Sequence, residues 1–132
     1  MDKKTISDIE KRIGHHFENM TLLLEAFTHS SYANFHEDAN HNERLEFLGD
    51  SILGFIISEN LFHRFPNEAE GSLSKIKAFM VHSDVLASIT EKLGLHRYLL
   101  VDVNDSEIRH NQKLKENLLE AIIGARRFSF SF

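Results

Sequence analysis

Asn42-Glu43-Arg44-Leu45-Glu46-Phe47-Leu48-Gly49-Asp50-Ser51 is the stretch on which the reading of this chain turns. It sets three carboxylates, Glu43, Glu46 and Asp50, at spacings of three and four inside an otherwise apolar pattern. Residues so spaced lie on one side of an α-helix, here within an arc of roughly 60°. Like charges held that close repel one another. A hard divalent cation, which takes oxygen ligands, relieves the repulsion. The competing reading is a solvated helix face with its acids in water, and spacing alone leaves both open.

Outward from this stretch the pattern stays helical. Leu45, Leu48, Ile52, Phe55 and Ile56 form the apolar stripe of a helix expected from about Asn42 to Phe65, ending before Pro66. Phe47 lies off that stripe, beside the acids. It is read either as an interface residue or as core covered by a neighbouring helix. Upstream, Ser7 with Glu10 fits a capping box for a helix carrying Ile6, Ile9 and Ile13, stopped by Gly14. Thr21 is the expected cap of a second helix with Leu22, Leu23, Ala26 and Phe27, and Tyr32 to His41 reads as a loop. Downstream, Pro66 to Gly71 is a loop, and a helix is expected from about Ser72 to Val81. Ser83-Asp84 would cap a helix carrying Val85, Leu86, Ile89 and Leu93, ended by Gly94. Leu99 to Ser106 reads as a loop, and a last helix covers about Lys113 to Ala125. Only the final few residues alternate like a strand. The expected class is all-α.

That last helix carries Asn117 and Glu120, three apart on one face. Oxygen ligands from two packed helices suit Mg²⁺, or Mn²⁺. Gly49 sits beside the first set of acids and Gly124 one turn beyond Glu120. Each allows a close helix crossing or a close approach by a ligand, at a helix-propensity cost of about 1 kcal/mol.

Length and composition bound the rest. The 132 residues fit one domain, and there is no cysteine, which excludes a disulfide framework and a thiolate zinc site. A chain without cysteine is compatible with the cytoplasm, the expected location. No signal peptide or membrane span is read. The net charge of −5 counts weakly against a stand-alone nucleic-acid binder, less so if several acids hold cations. The nine histidines are scattered without zinc-ligand spacing and read as surface or packing residues.

Glu43 to Ser51 closely resembles the signature of the ribonuclease III family over nine contiguous residues. Ala26-Phe27-Thr28-His29-Ser30-Ser31-Tyr32, Glu70-Gly71-Ser72-Leu73-Ser74-Lys75-Ile76-Lys77-Ala78 and Leu118-Leu119-Glu120-Ala121-Ile122-Ile123-Gly124-Ala125 resemble further family segments in the same order. The resemblance covers about residues 6 to 125. It implies a ribonuclease III-type helical endonuclease domain that dimerises and cuts double-stranded RNA, in rRNA or mRNA processing. Its products would carry 5′-phosphate and 3′-hydroxyl ends. By position, Glu46, Asp50 and Glu120 match the family's metal-binding acids, with Asp50 and Glu120 catalytic. Glu43 and Glu70 match further acids of the catalytic valley, and Phe47 an aromatic that inserts into the partner subunit. Arg44 is expected to pair with nearby acids. Lys75, Lys77 and residues near Asn111 to Lys115 are candidates for phosphate contacts, or for solvated surface.

Two departures stand out. Asn117 occupies the place where the family usually has Asp; its amide oxygen can join the metal set but brings no charge. The chain ends Arg126-Arg127-Phe128-Ser129-Phe130-Ser131-Phe132, which looks foreign to the family. The expected division is therefore a catalytic domain over 1–125, incomplete at its end, and a non-family tail over 126–132. These departures, with the acidic charge, sustain a rival expectation: a weak or inert dimeric module that binds double-stranded RNA on the same scaffold. An all-α acidic interaction protein without RNA would need the nine-residue match to be chance.

Overall fold

The computed structural model describes residues 1–102, 107 and 109–128, with Phe128 described by its backbone alone. Among these residues are seven α-helices, a 3₁₀ turn at Leu95–Tyr98 and further 3₁₀ geometry at 107, 109 and 110, with no strand beyond an isolated bridge between Thr28 and Leu100. In chain order the helices are α1 (Lys3–Ile13), α2 (Met20–Ala26), α3 (Ser30–Ala33), α4 (Glu43–Arg64), α5 (Glu70–Met80), α6 (Ser83–Lys92) and α7 (Gln112–Phe128). The 3₁₀ turn, Leu95–Tyr98, follows Gly94, whose φ of 68° only glycine adopts without strain. None of the described helices is long and apolar enough to cross a membrane.

The helix starts differ from the sequence reading. Asp2, not Ser7, caps α1 by accepting the Thr5 amide at 2.8 Å. Glu10 instead ties down the next loop, accepting the Phe17 amide at 2.7 Å and lying 2.7 Å from His16 Nδ1. Asn19 rather than Thr21 caps α2, and His82 rather than Ser83-Asp84 caps α6. The stretch read as a loop from Tyr32 begins within α3, a single turn capped by His29. α7 runs on to Phe128, so the first three residues of the expected tail continue the helix. The strand-like alternation at the very end, and the second half of the Leu99 to Ser106 loop, lie outside the described residues.

α7 is the organising helix. It packs most extensively on α4, then on α6. Leu118, Ala121, Ile122 and Ala125 enter the main core with Leu45, Leu23, Phe27, Ile9, Phe17 and Leu95. At the α6–α7 contact the buried Thr90 hydroxyl donates to the Lys115 carbonyl at 2.8 Å. Lys115 itself is buried, with its Nζ 3.5 Å from Glu91. It is thus a packing residue and not the phosphate contact considered from sequence.

The stripe assigned to α4 is corrected in one respect. Leu45 is buried and Leu48 and Ile52 are half-buried, but Phe55 and Ile56 are exposed. The buried positions are Leu45, Gly49, Ile57 and Leu61. The inward side of α4 changes along its length: Leu45 and Gly49 meet α7, and Gly54 meets Lys77 of α5. The remaining apolar residues form a second, outward face.

Asn42 fixes the start of α4. Its buried side-chain amide donates to the Ala26 carbonyl at 3.1 Å, and its backbone N–H donates to the Thr28 carbonyl at 2.9 Å. Asn42→Ala removes the first bond and strands a carbonyl at the end of α2. A loss of about 1–3 kcal/mol is expected, read from the midpoint of urea unfolding.

Candidate active site

Two glycines set the site by letting α4 and α7 touch backbone to backbone. A Cβ added at Gly49 would collide with the Glu120 carbonyl, and one at Gly124 with the Leu45 carbonyl. Of the two uses open to these glycines, the structure gives both to the helix crossing. It faces Glu46 and Asp50 of α4 toward Glu116, Asn117 and Glu120 of α7.

Glu120 is 5% exposed, and the neighbouring Asp50 carboxyl is the acceptor available to its proton. Two carboxyls share a hydrogen bond only if one keeps a proton. Burial is the first reason that Glu120 keeps it, and the bond to Asp50 and the charges of Asp50, Glu116 and Glu46 add to it. Together they push its pKa up to about 8. Glu46, half-buried, is also raised, chiefly by burial and then by Glu43, Glu116 and Asp50, against the pull of Lys113. With its amide oriented so that nitrogen faces acceptors, Asn117 donates to Glu46 Oε1 and to the Lys113 carbonyl, each at 3.1 Å.

The other predicted residues sit around this centre. Glu43 is exposed on the same helix, 3.8 Å from His41 Nδ1, and its charge acts on Glu46. Glu70 opens α5, where its carboxylate accepts the Ser74 hydroxyl at 2.9 Å; it is not among the charges acting on Glu46 or Glu120. Phe47 is 79% exposed. Arg44 does not make the expected ion pair: it is exposed, with no carboxylate in salt-bridge range among the described residues. Lys75 is exposed, whereas Lys77 is half-buried, with its chain over Gly54 of α4.

Among the described residues no three Asp, Glu or His side chains converge tightly enough to enclose an ion by themselves. The donors form two linked pairs, Glu46 with Asn117 and Asp50 with Glu120. Their chemistry still fits a hard divalent cation. All are oxygen donors, and burial and mutual repulsion leave the anionic forms of Glu46 and Glu120 short of compensating charge. Sequence reasoning missed Glu116, whose side chain pairs at 3.5 Å with Lys113, a residue it had considered only for phosphate contacts. Positions 113, 116, 117 and 120 fall within an arc of roughly 100° on α7, so the signal was present.

Comparison with known proteins agrees with this geometry. A family model described as ribonuclease-III-like matches residues 19–129. Ribonuclease 3 of Carboxydothermus hydrogenoformans is 40% identical over 132 residues, covering 97% of this chain and 56% of that protein. Ribonuclease 3 of Coxiella burnetii is 43% identical over 122 residues, covering 91% of this chain and 50% of that protein. The chain thus spans about half the length of the curated relatives it matches. Among solved structures, a nuclease domain of ribonuclease III from Campylobacter jejuni superposes with a TM-score of 0.86 at 36% identity, covering 94% of this chain and 85% of that one. That structure is described as flexible in the region involved in dimer formation. With the helical fold, the α4–α7 crossing and a family match over most of its length, the chain belongs to the ribonuclease III family.

Proposed function

We propose that this chain is the catalytic domain of a metal-dependent endoribonuclease that cleaves double-stranded RNA, leaving 5′-phosphate and 3′-hydroxyl ends. The observation that carries the reading is the buried Glu120, set beside Asp50 and Glu46 at a glycine-mediated helix crossing. Such an acid-rich centre is costly in a metal-free fold and useful in a nuclease. Glu46, Asp50 and Glu120 would hold Mg²⁺ or Mn²⁺. Asn117, its nitrogen committed to Glu46 and the Lys113 carbonyl, has only Oδ1 left to offer. The cation, when bound, supplies Lewis acidity toward a phosphate and the attacking water. Glu43 and Glu70 extend the acidic surface, and Lys75 is placed at the surface to meet phosphates. Duplex RNA would be read mainly by shape and backbone. The setting we infer is the cytoplasm, in rRNA or mRNA processing.

The assembly we infer is a symmetric homodimer. Phe47 projects from α4 beside a recess bounded by Leu22, Arg44, Leu45 and Leu48. In a two-fold arrangement each Phe47 fills the recess of the other copy. Phe55, Phe62 and Phe79, all more than 60% exposed, add apolar surface that a second copy would cover. Phe47→Ala should therefore convert dimer to monomer, at least ten-fold weaker in association, by sedimentation equilibrium. Because Phe47 is exposed within one chain, the helical content should not change.

The deciding experiment incubates purified protein with a labelled long RNA duplex, with Mg²⁺ or with EDTA. Metal-dependent cutting to 5′-phosphate ends is the expected result. Duplex binding without cutting would instead favour the inert RNA-binding module, for which the uncharged Asn117 is the specific observation.

A further inference from the structure

We infer that Arg44 of each copy pairs with Glu25 of the other at the recess that receives Phe47, so that charge as well as the aromatic sets the register of the dimer. The inference rests on the homodimer reading above and deepens it.

Three observations bring these two residues together. Arg44 and Glu25 line the same recess, with Leu22, Leu48 and Phe47. Neither has an ionic partner in its own chain: among the described residues, no carboxylate lies in salt-bridge range of Arg44 and no cation in range of Glu25. Each also stands at the wrong end of its helix. Arg44 is the second residue of α4, where the helix dipole favours an acid, and Glu25 lies in the last turn of α2, where it favours a base. Neither charge is stabilised by its own helix or by an ion pair within the chain.

A two-fold arrangement supplies the missing partners. Arg44 precedes Phe47 by three residues, so both project from one side of α4. When Phe47 enters the other copy's recess, Arg44 travels with it to a wall that carries Glu25. Symmetry makes the same contact a second time. Glu43, the other acid at the recess, is exposed and already turned to His41 Nδ1 at 3.8 Å, which leaves the half-buried Glu25 as the acceptor. Charges placed in this way fix register and reject a wrongly docked copy.

The test measures dimer dissociation constants by sedimentation equilibrium for the wild type, Arg44→Glu, Glu25→Arg and an equimolar mixture of the two variants. Circular dichroism checks the fold; Arg44→Glu puts an acid where the helix end favours one and should fold normally. Each variant alone sets like charges against each other at both contacts and should associate at least ten-fold more weakly. In the mixture, a dimer with one chain of each kind again has opposite charges at both contacts and should recover most of the lost affinity. A pair formed inside one chain could not be repaired by mixing, because each chain would keep its own clash. Unchanged association in either variant, or no recovery in the mixture, would overturn the inference and leave the dimer standing. If Glu25→Arg does not fold, Glu25→Gln replaces it, and its mixture with Arg44→Glu should associate more tightly than either variant alone; a mixture no tighter overturns the inference. A wild type that stays monomeric would take down the homodimer reading along with it.

Discussion

Gly49→Ala should lower the melting temperature by about 10 °C or more. The added methyl would meet the Glu120 carbonyl, which is backbone and cannot rotate aside. Overpacking a close contact costs about 1–3 kcal/mol and sometimes more, and a rigid obstacle puts this site at the upper end. The better helix propensity of alanine returns at most about 1 kcal/mol. For a domain of this size each remaining kcal/mol moves the midpoint by roughly 4 °C, so the figure of 10 °C corresponds to a net loss near the top of that range. Gly124→Ala meets the Leu45 carbonyl and should behave alike. The two share one crossing, so their effects should not add. Gly71, in the first turn of α5 with nothing within 4 Å of an added Cβ, is the control, and Gly71→Ala should leave the midpoint level or slightly raised. Circular dichroism melts decide the matter. A Gly49→Ala midpoint within a couple of degrees of the wild type would mean that the helices are not in backbone contact.

The two glycines show what a sequence can and cannot convey. Spacing placed Glu43, Glu46 and Asp50 on one arc, and α4 does carry them there. Spacing could not tell that Glu46 would turn toward α7 while Glu43 stayed in water, because the neighbouring helix decides burial. The same limit explains Phe55 and Ile56. Periodicity finds apolar residues, but an outward face awaiting another molecule has the same period as a core face. The caps failed for a local reason. Ser7 and Glu10 fit the capping pattern, yet Asp2 was available one turn earlier, and the Phe17 amide needed Glu10. Glu116 was passed over because the reading of α7 sought only the pair three apart. Its low exposure follows from the packing around α7, which a single helix does not reveal.

Glu120→Gln should reduce duplex-RNA cleavage by about 10²–10³-fold or more while preserving the fold, because the amide can still donate to Asp50. The metal-free protein should reveal the same residue through pH. The Glu120 carboxyl titrates from an ordinary value of 4.5 in the unfolded chain and near 8 in the fold. The folded state therefore holds the proton more tightly. The stability linked to it is complete below about pH 4.5 and drains away as pH climbs to about 8. In EDTA the wild-type midpoint should fall across that window, and Glu120→Gln, which carries no charge to bury, should flatten the fall. With Mg²⁺ the direction reverses for binding: the cation favours the anion, so affinity should rise with pH over the same interval. Melts at half-unit steps from pH 5 to 9, with EDTA and with Mg²⁺, test both halves. A wild-type curve as flat as that of Glu120→Gln would remove the shared proton between Glu120 and Asp50. Full cleavage by Glu120→Gln would move the active site away from this crossing.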